Sequence, residues 1–162
     1  MILKLVGLLF LFNCFCINSQ NTDHNQTVEG MPLSDQLYTK CFENLNQGSE
    51  IFEKYASLKN MKFCSLLECM FLFSCKEEDI KRIAEQRLIG IATQLYNAGT
   101  PVYLIMGLDS YLNAKKKNEN LEDDNHIVYI DYGECTNPPF LIEAAAIVNK
   151  QTNLLVNQPV GQ

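Results

Sequence analysis

The stretch SCKEEDIKRIAEQRLIGIATQLYNAG, Ser74 to Gly99, decides the fold class. Ile80, Ile83, Ala84, Leu88, Ile91, Ala92 and Leu95 recur at intervals of three and four, which gathers them on one side of a helix turning every 3.6 residues. Ser74 with Glu77 three positions on is a capping-box pattern, and Glu77, Glu78 and Asp79 put negative charge where the helix dipole favours it. Asn97-Ala98-Gly99, with Pro101 just beyond, reads as the stop. The stretch before it, FCSLLECMFLFSC from Phe63 to Cys75, is apolar nearly all round but too short to span a bilayer. A helix of that kind is buried on every side, so it is predicted as the centre of the core.

Working outward, Ser34-Asp-Gln opens a segment whose Leu37, Cys41 and Leu45 are spaced by four, and Gly48 ends it. Ser49 is placed to cap a helix with Ile51, Phe52, Tyr55 and Leu58 on one side. Thr100-Pro101 suggests another helix start, with proline at the first helical position, although Val102-Tyr103 leaves a strand open. Lys115-Lys116-Lys117 and the acidic positions Glu119, Glu122, Asp123 and Asp124 read as a surface loop. HIVYIDYG, His126 to Gly133, alternates enough for a short strand or extended segment. Pro138-Pro139 then starts a last helix carrying Phe140, Leu141, Ala144, Ala145 and Val148. The fold expected is all-α: a small disulfide-stapled bundle of five to six helices, with at most one extended segment near 126–132.

The 162 residues suffice for one domain with a sizeable core. Thirteen basic residues against nineteen acidic ones, net charge −6, argue against nucleic acid or an anionic membrane as the main partner. Lys4 followed by the apolar run Leu5 to Phe12 has the form of a secretory leader, residues 1–19, with cleavage after Cys16 or Ser19. That makes the expected protein secreted and extracellular. Residues 20–33 are polar and aperiodic, a flexible lead-in, and contain Asn25-Gln-Thr, a glycosylation candidate at Asn25. A single helical domain is expected over 34–150, with a frayed tail at 151–162. No later stretch is long and apolar enough for a membrane span.

Export leaves Cys41, Cys64, Cys69, Cys75 and Cys135 in an oxidising compartment, an odd set with one thiol over, either buried or bridging two chains. On one continuous helix Cys64 and Cys75 would sit about 16 Å apart, with Cys69 turned about 140° away. Cα atoms must lie within about 7 Å to be bridged, so no two of the three pair with one another. Cys41 is expected to take Cys64 or Cys69, and Cys75 to take Cys135.

Catalysis finds little support. Only His24 and His126 are present, oxidised cysteines are poor nucleophiles, no zinc spacing or calcium-loop order occurs, and there is no glycine-rich phosphate loop. No enzyme activity, cofactor or metal is expected. The surplus lies in soft and aromatic residues. Phe63, Met70, Phe71, Phe73, Tyr103, Met106 and Tyr111 are the candidate ligand-binding set, since such side chains line pockets between helices as readily as they fill a core.

An export signal, an acidic chain, helices, and a cysteine followed about 23 residues later by a close pair resemble, in outline, the insect odorant- and pheromone-binding proteins. That resemblance implies a helical carrier of a hydrophobic ligand. The family's motif has three residues between its second and third cysteines, whereas four separate Cys64 from Cys69, and its distal trio is reduced to Cys135. No binding residue is carried over. The expectation is a secreted, non-enzymatic helical binding protein, holding an apolar small molecule or another secreted or surface protein, as a monomer or as a dimer through the odd cysteine. The alternative is a secreted signalling or effector protein acting through its outer surface, with Lys81, Arg82, Glu85, Gln86 and Arg87 on the exposed side of the 76–98 helix.

Overall fold

The computed structural model describes residues 30–45, 48–120 and 126–158. The expected leader, Asn25 and most of the 20–33 lead-in lie outside them. Six α-helices and two strands follow in chain order: α1 (Leu33–Thr39), α2 (Ser49–Lys54), α3 (Leu66–Phe71) with a 3-10 turn (Leu72–Ser74), α4 (Glu78–Asn97), β1 (Val102–Ile105), α5 (Ser110–Glu119), β2 (Val128–Asp131) and α6 (Pro139–Val156). The chain is mostly helical, as expected, with one strand more than the extended segment expected near 126–132: β1 and β2 pair in parallel, Val102 opposite Val128 through Ile105 opposite Asp131.

Parallel pairing requires a crossover, and α5 supplies it. Of the two readings left open after Pro101 the strand is the one that forms, and the loop expected at the lysine run does not. The segment after Pro101 is a strand because Val102-Tyr103-Leu104-Ile105 is β-branched and aromatic, with Val102 and Leu104 buried and Tyr103 and Ile105 only partly so. The helix begins later, at Ser110, and takes in Lys115, Lys116 and Lys117, which the charge pattern had assigned to a loop.

The core centres on α3, α4 and α6. Leu66, Cys69, Met70, Leu88, Ile91, Ala92, Leu95 and Val148 are fully buried, joined by Val102 and Ile130 from the sheet. The stripe read on α4 is therefore the core-facing side. Its first residue is Glu78, however, with Glu77 at the N-cap, and the Ser74 hydroxyl donates instead to Phe71 O. The working capping box lies on α3: Glu68 N donates to Ser65 Oγ at 3.2 Å, and the Glu68 carboxylate accepts from Ser65 N at 3.1 Å and from Cys64 N at 2.9 Å. That box fixes where α3 starts and leaves Cys64 outside it. The single 63–75 helix is accordingly shorter than expected, and Phe71 on its outer side is half exposed.

Elsewhere the helix ends move. α1 stops at Thr39, so Cys41 and Leu45 follow it rather than extend it, and α2 stops at Lys54. Gly48 sits at φ +80, where a Cβ would lie 2.5 Å from Ile83 Cγ2, so only glycine lets the chain pass so close to α4. α6 continues past Gln151 to Val156, where fraying was expected, because Thr152 is buried and its hydroxyl donates to Val102 O at 2.8 Å. Among the described residues no helix is long and apolar enough to cross a membrane.

Among the described residues one disulfide forms, Cys41–Cys64, with Cα atoms 4.7 Å apart, and Phe42 N donates to Cys64 O beside it. The expected Cys75–Cys135 bridge does not form. Cys75 closes the 3-10 turn and packs against the core, whereas Cys135 is exposed in the loop leaving β2.

α2 is held at its far end by one polar latch. Tyr55 Oη donates to Asp79 Oδ1 at 2.8 Å, and Lys54 Nζ lies 3.1 Å from Asp79 Oδ2. The Tyr55 hydroxyl and then the Lys54 ammonium hold the Asp79 carboxyl below its ordinary value, and Asp79 raises that of Lys54. The lowered carboxyl stabilises the fold above the unfolded carboxylate pKa, and that contribution is lost as pH falls through the folded value. The raised ammonium acts below the unfolded lysine pKa and is lost as pH rises through its folded value. We expect α2 amides to lose hydrogen-exchange protection in acid, below the ordinary carboxylate range, and Asp79→Asn to abolish that pH dependence. Equal acid lability in both proteins would refute the latch.

Candidate functional site

The seven soft and aromatic residues do not converge. Phe63, Met70 and Phe73 are buried, with the Phe63 ring 4.9 Å from that of Phe52. Phe71 packs at a tilt against Phe140, ring centroids 6.1 Å apart, Tyr103 likewise against Tyr129 at 6.0 Å across the two strands, and Met106 and Tyr111 are exposed. Two open clefts flank α6. One, about 620 Å³, runs between α4 and α6 and is walled by Glu78, Lys81, Arg82, Glu85, Glu143 and Lys150 over a floor that includes Phe73. The other, about 820 Å³, lies between β1 and α6, beside Tyr103. Each meets one member of the set.

What the fold does expose is the turn leaving β1. Leu108 is 81% exposed, Tyr111 61% and Leu112 60%, with Met106 also in solvent. Four large apolar residues within seven positions form an exposed apolar segment of the kind that marks contact surfaces. The turn is built, not loose. Gly107, at φ +126, donates its N–H to Gly133 O at 3.2 Å. Ser110 is buried, its hydroxyl donates to Asp131 Oδ1 at 2.6 Å and lies 3.2 Å from Gly133 O, and Gly133 N donates to the same carboxylate. Asp131, the last residue of β2, thus clamps the start of α5 and the exit of its own strand.

Asp109, between Leu108 and Ser110, holds φ +61. A non-glycine residue there costs on the order of 1 kcal/mol, tolerated best by Asp and Asn. The cost is met by the Ser110 clamp, and the result is that Leu108 faces water. Tyr111 and Leu112 are followed at i+4 by Lys115 and Lys116, so apolar and cationic groups share the outer side of α5. Lys115 lies 3.9 Å from Glu119, while Lys117 points elsewhere, over the Tyr129 ring at 4.4 Å. The aromatic and methionine count drew attention to Met106 and Tyr111, but Leu108 and Leu112 were missed. Leucine in the sequence carries no mark of exposure; the Gly-Leu-Asp-Ser run at 107–110 was the available sign of a turn.

Tyr38 on α1 has its hydroxyl against Met70 Sδ at 3.7 Å. Burial first, then Tyr132 and Asp131, push it up to about 12, so it stays neutral. Of the polar residues expected on the outer side of α4, Arg82, Glu85 and Gln86 are exposed and Lys81 is partly so. Arg87 is not: it is buried, 4.6 Å over the Phe52 ring, and donates to Phe63 O. Cys69 Sγ donates to the same carbonyl at 3.4 Å, and burial pushes that thiol up to about 12 against the opposing charge of Arg87. It is protonated and inert at neutral pH. Among the described residues no three His, Cys, Asp or Glu side chains gather closely enough to hold a metal ion.

Comparison with protein-family models, with curated proteins and with solved structures finds no match to the chain.

Proposed function

We propose that this is an exported protein that works by binding, not by catalysis, and that it engages another secreted or surface protein through the turn Met106–Leu112 and the outer side of α5. The observation that carries the reading is the exposure of Leu108, Tyr111 and Leu112 on a turn held rigid by Ser110 and Asp131. A preorganised apolar anchor loses little freedom on docking. Lys115 and Lys116 at its border suit a partner whose apolar groove has an acidic rim. The leader-like residues 1–19 support export.

A photo-crosslinking residue in place of Tyr111 is expected to capture one protein from extracellular fluid of the source, and the same residue in place of Gln86 on α4 is not. With the captured partner in hand, changing Leu108, Tyr111 and Leu112 together to serine should weaken binding about a hundredfold or more. Native mass spectrometry provides the counter-test. A lipid-sized molecule that co-purifies with the protein, and is retained by the triple-serine variant, would restore the carrier reading and overturn this one.

A further inference from the structure

The outward side of α6 satisfies the requirements of a twofold contact with a second copy of itself. Ile142, Glu143, Ala146, Lys150 and Leu154 are exposed along it, on a helix about 27 Å long. Glu143 and Lys150 stand two turns apart, about 10.5 Å, and Ala146 lies between them. When two such helices meet antiparallel about an axis near Ala146, Glu143 of one faces Lys150 of the other, and the relation repeats on the opposite side. An isologous interface demands that reciprocity. A small residue at the centre lets the helices approach, and Ile142 and Leu154, 41% and 54% exposed, lose water at the two ends.

Shape agrees with charge. α6 is a ridge with an open cleft on either flank, the α4 side and the β1 side, and Ala146 and Lys150 border both. In an antiparallel pair each ridge enters a groove of the other copy, the way helices pack. The chain carries net charge −6, so most of its surface repels a second copy. The α6 side is balanced, and neither Glu143 nor Lys150 is in an ion pair among the described residues. We infer that the protein forms a symmetric homodimer through α6, with Glu143–Lys150 pairs on both sides of the axis. None of the residues in the α5 turn takes part, so this inference and the proposed function fail or stand separately.

Sedimentation across a concentration series, with Cys135 capped by an alkylating reagent so that no interchain disulfide contributes, should show reversible doubling of mass that weakens with salt. Lys150→Glu sets glutamates against glutamates twice and should raise the dissociation constant about tenfold or more, and Glu143→Lys should do the same with lysines. Mixing the two variants restores both pairs only in the mixed dimer, so equimolar Lys150→Glu and Glu143→Lys should recover the wild-type constant. A monomer at every concentration overturns the inference. So does a dimer that both variants leave unchanged, or a mixture no tighter than its components. Both positions are exposed, and unchanged circular dichroism confirms that the variants are folded.

Discussion

Changing Cys41 and Cys64 together to serine should lower the folding free energy by about 3–4 kcal/mol, the loop-closure entropy expected for a bridge between residues 23 apart. Urea unfolding followed by circular dichroism measures it, since the chain has no tryptophan. The bridge joins the segment after α1 to the residue preceding the Ser65–Glu68 capping box, so its loss frees α1 from the start of α3. The Cys41–Cys64 bond also has a silent neighbour. Cys69 is buried, with its thiol pushed up to about 12 and engaged by Phe63 O, so it does not exchange with the disulfide at neutral pH. A thiol reagent should therefore label exposed Cys135 first, half-buried Cys75 more slowly, and Cys69 only as the protein unfolds. Rapid native labelling of Cys69, or a stability loss below about 1 kcal/mol in the double variant, would refute this account of the bridge.

The parts of the fold legible in the sequence are those in which one residue pattern had a single physical meaning. The apolar stripe of α4 and the proline start of α6 are of that kind, because a 3.6-residue period with a stop or start signal fits no other element. Val102–Ile105 was ambiguous. Proline followed by β-branched and aromatic residues opens either a helix or a strand, and what decides is a partner 26 residues away, Val128, that no local pattern names. The α5 lysines misled for a related reason. A polar run is a loop unless something packs beneath it, and only Ser110 and Ala114 do. The Ser65–Glu68 capping box was present in the sequence, but the all-round apolarity of residues 63–75 obscured it. Arg87 inverted its expected role: one turn away along α4 are Ile83, Ala84 and Ile91 of the buried stripe, and the ring and carbonyl that hold it come from Phe52 and Phe63, far back in the chain. The exposed turn was legible only as a turn; that its leucines face water depends on the buried Ser110–Asp131 clamp, a contact across 21 residues.

A two-stranded sheet has two open edges and is marginal on its own. Here an asparagine pairs with each edge, joined on the β1 side by the Thr152 hydroxyl on Val102 O. Asn149 on α6 accepts from Leu104 N at 2.7 Å and donates to Leu104 O at 2.8 Å, and Asn118 on α5 does the same to Tyr129 N and O, both at 2.8 Å. Each side-chain amide thus stands in for a residue of a missing third strand and ties a helix to the sheet. Replacing Asn149 by leucine leaves an N–H and a C=O of β1 unpaired in a half-buried setting, and should cost roughly 2–4 kcal/mol. Asn118→Leu should cost a similar amount, and the two should add, since they act on opposite edges. Asn149→Asp separates this role from simple packing. The aspartate keeps the shape but turns an oxygen toward Leu104 O, so the ionised form is repelled and the protonated form can still donate. Its folded pKa is then raised above the unfolded value, and the stability of this variant should recover as pH falls below the ordinary carboxylate range and drop as pH rises through the folded pKa. A flat pH dependence relative to wild type would show that Asn149 merely fills space beside β1.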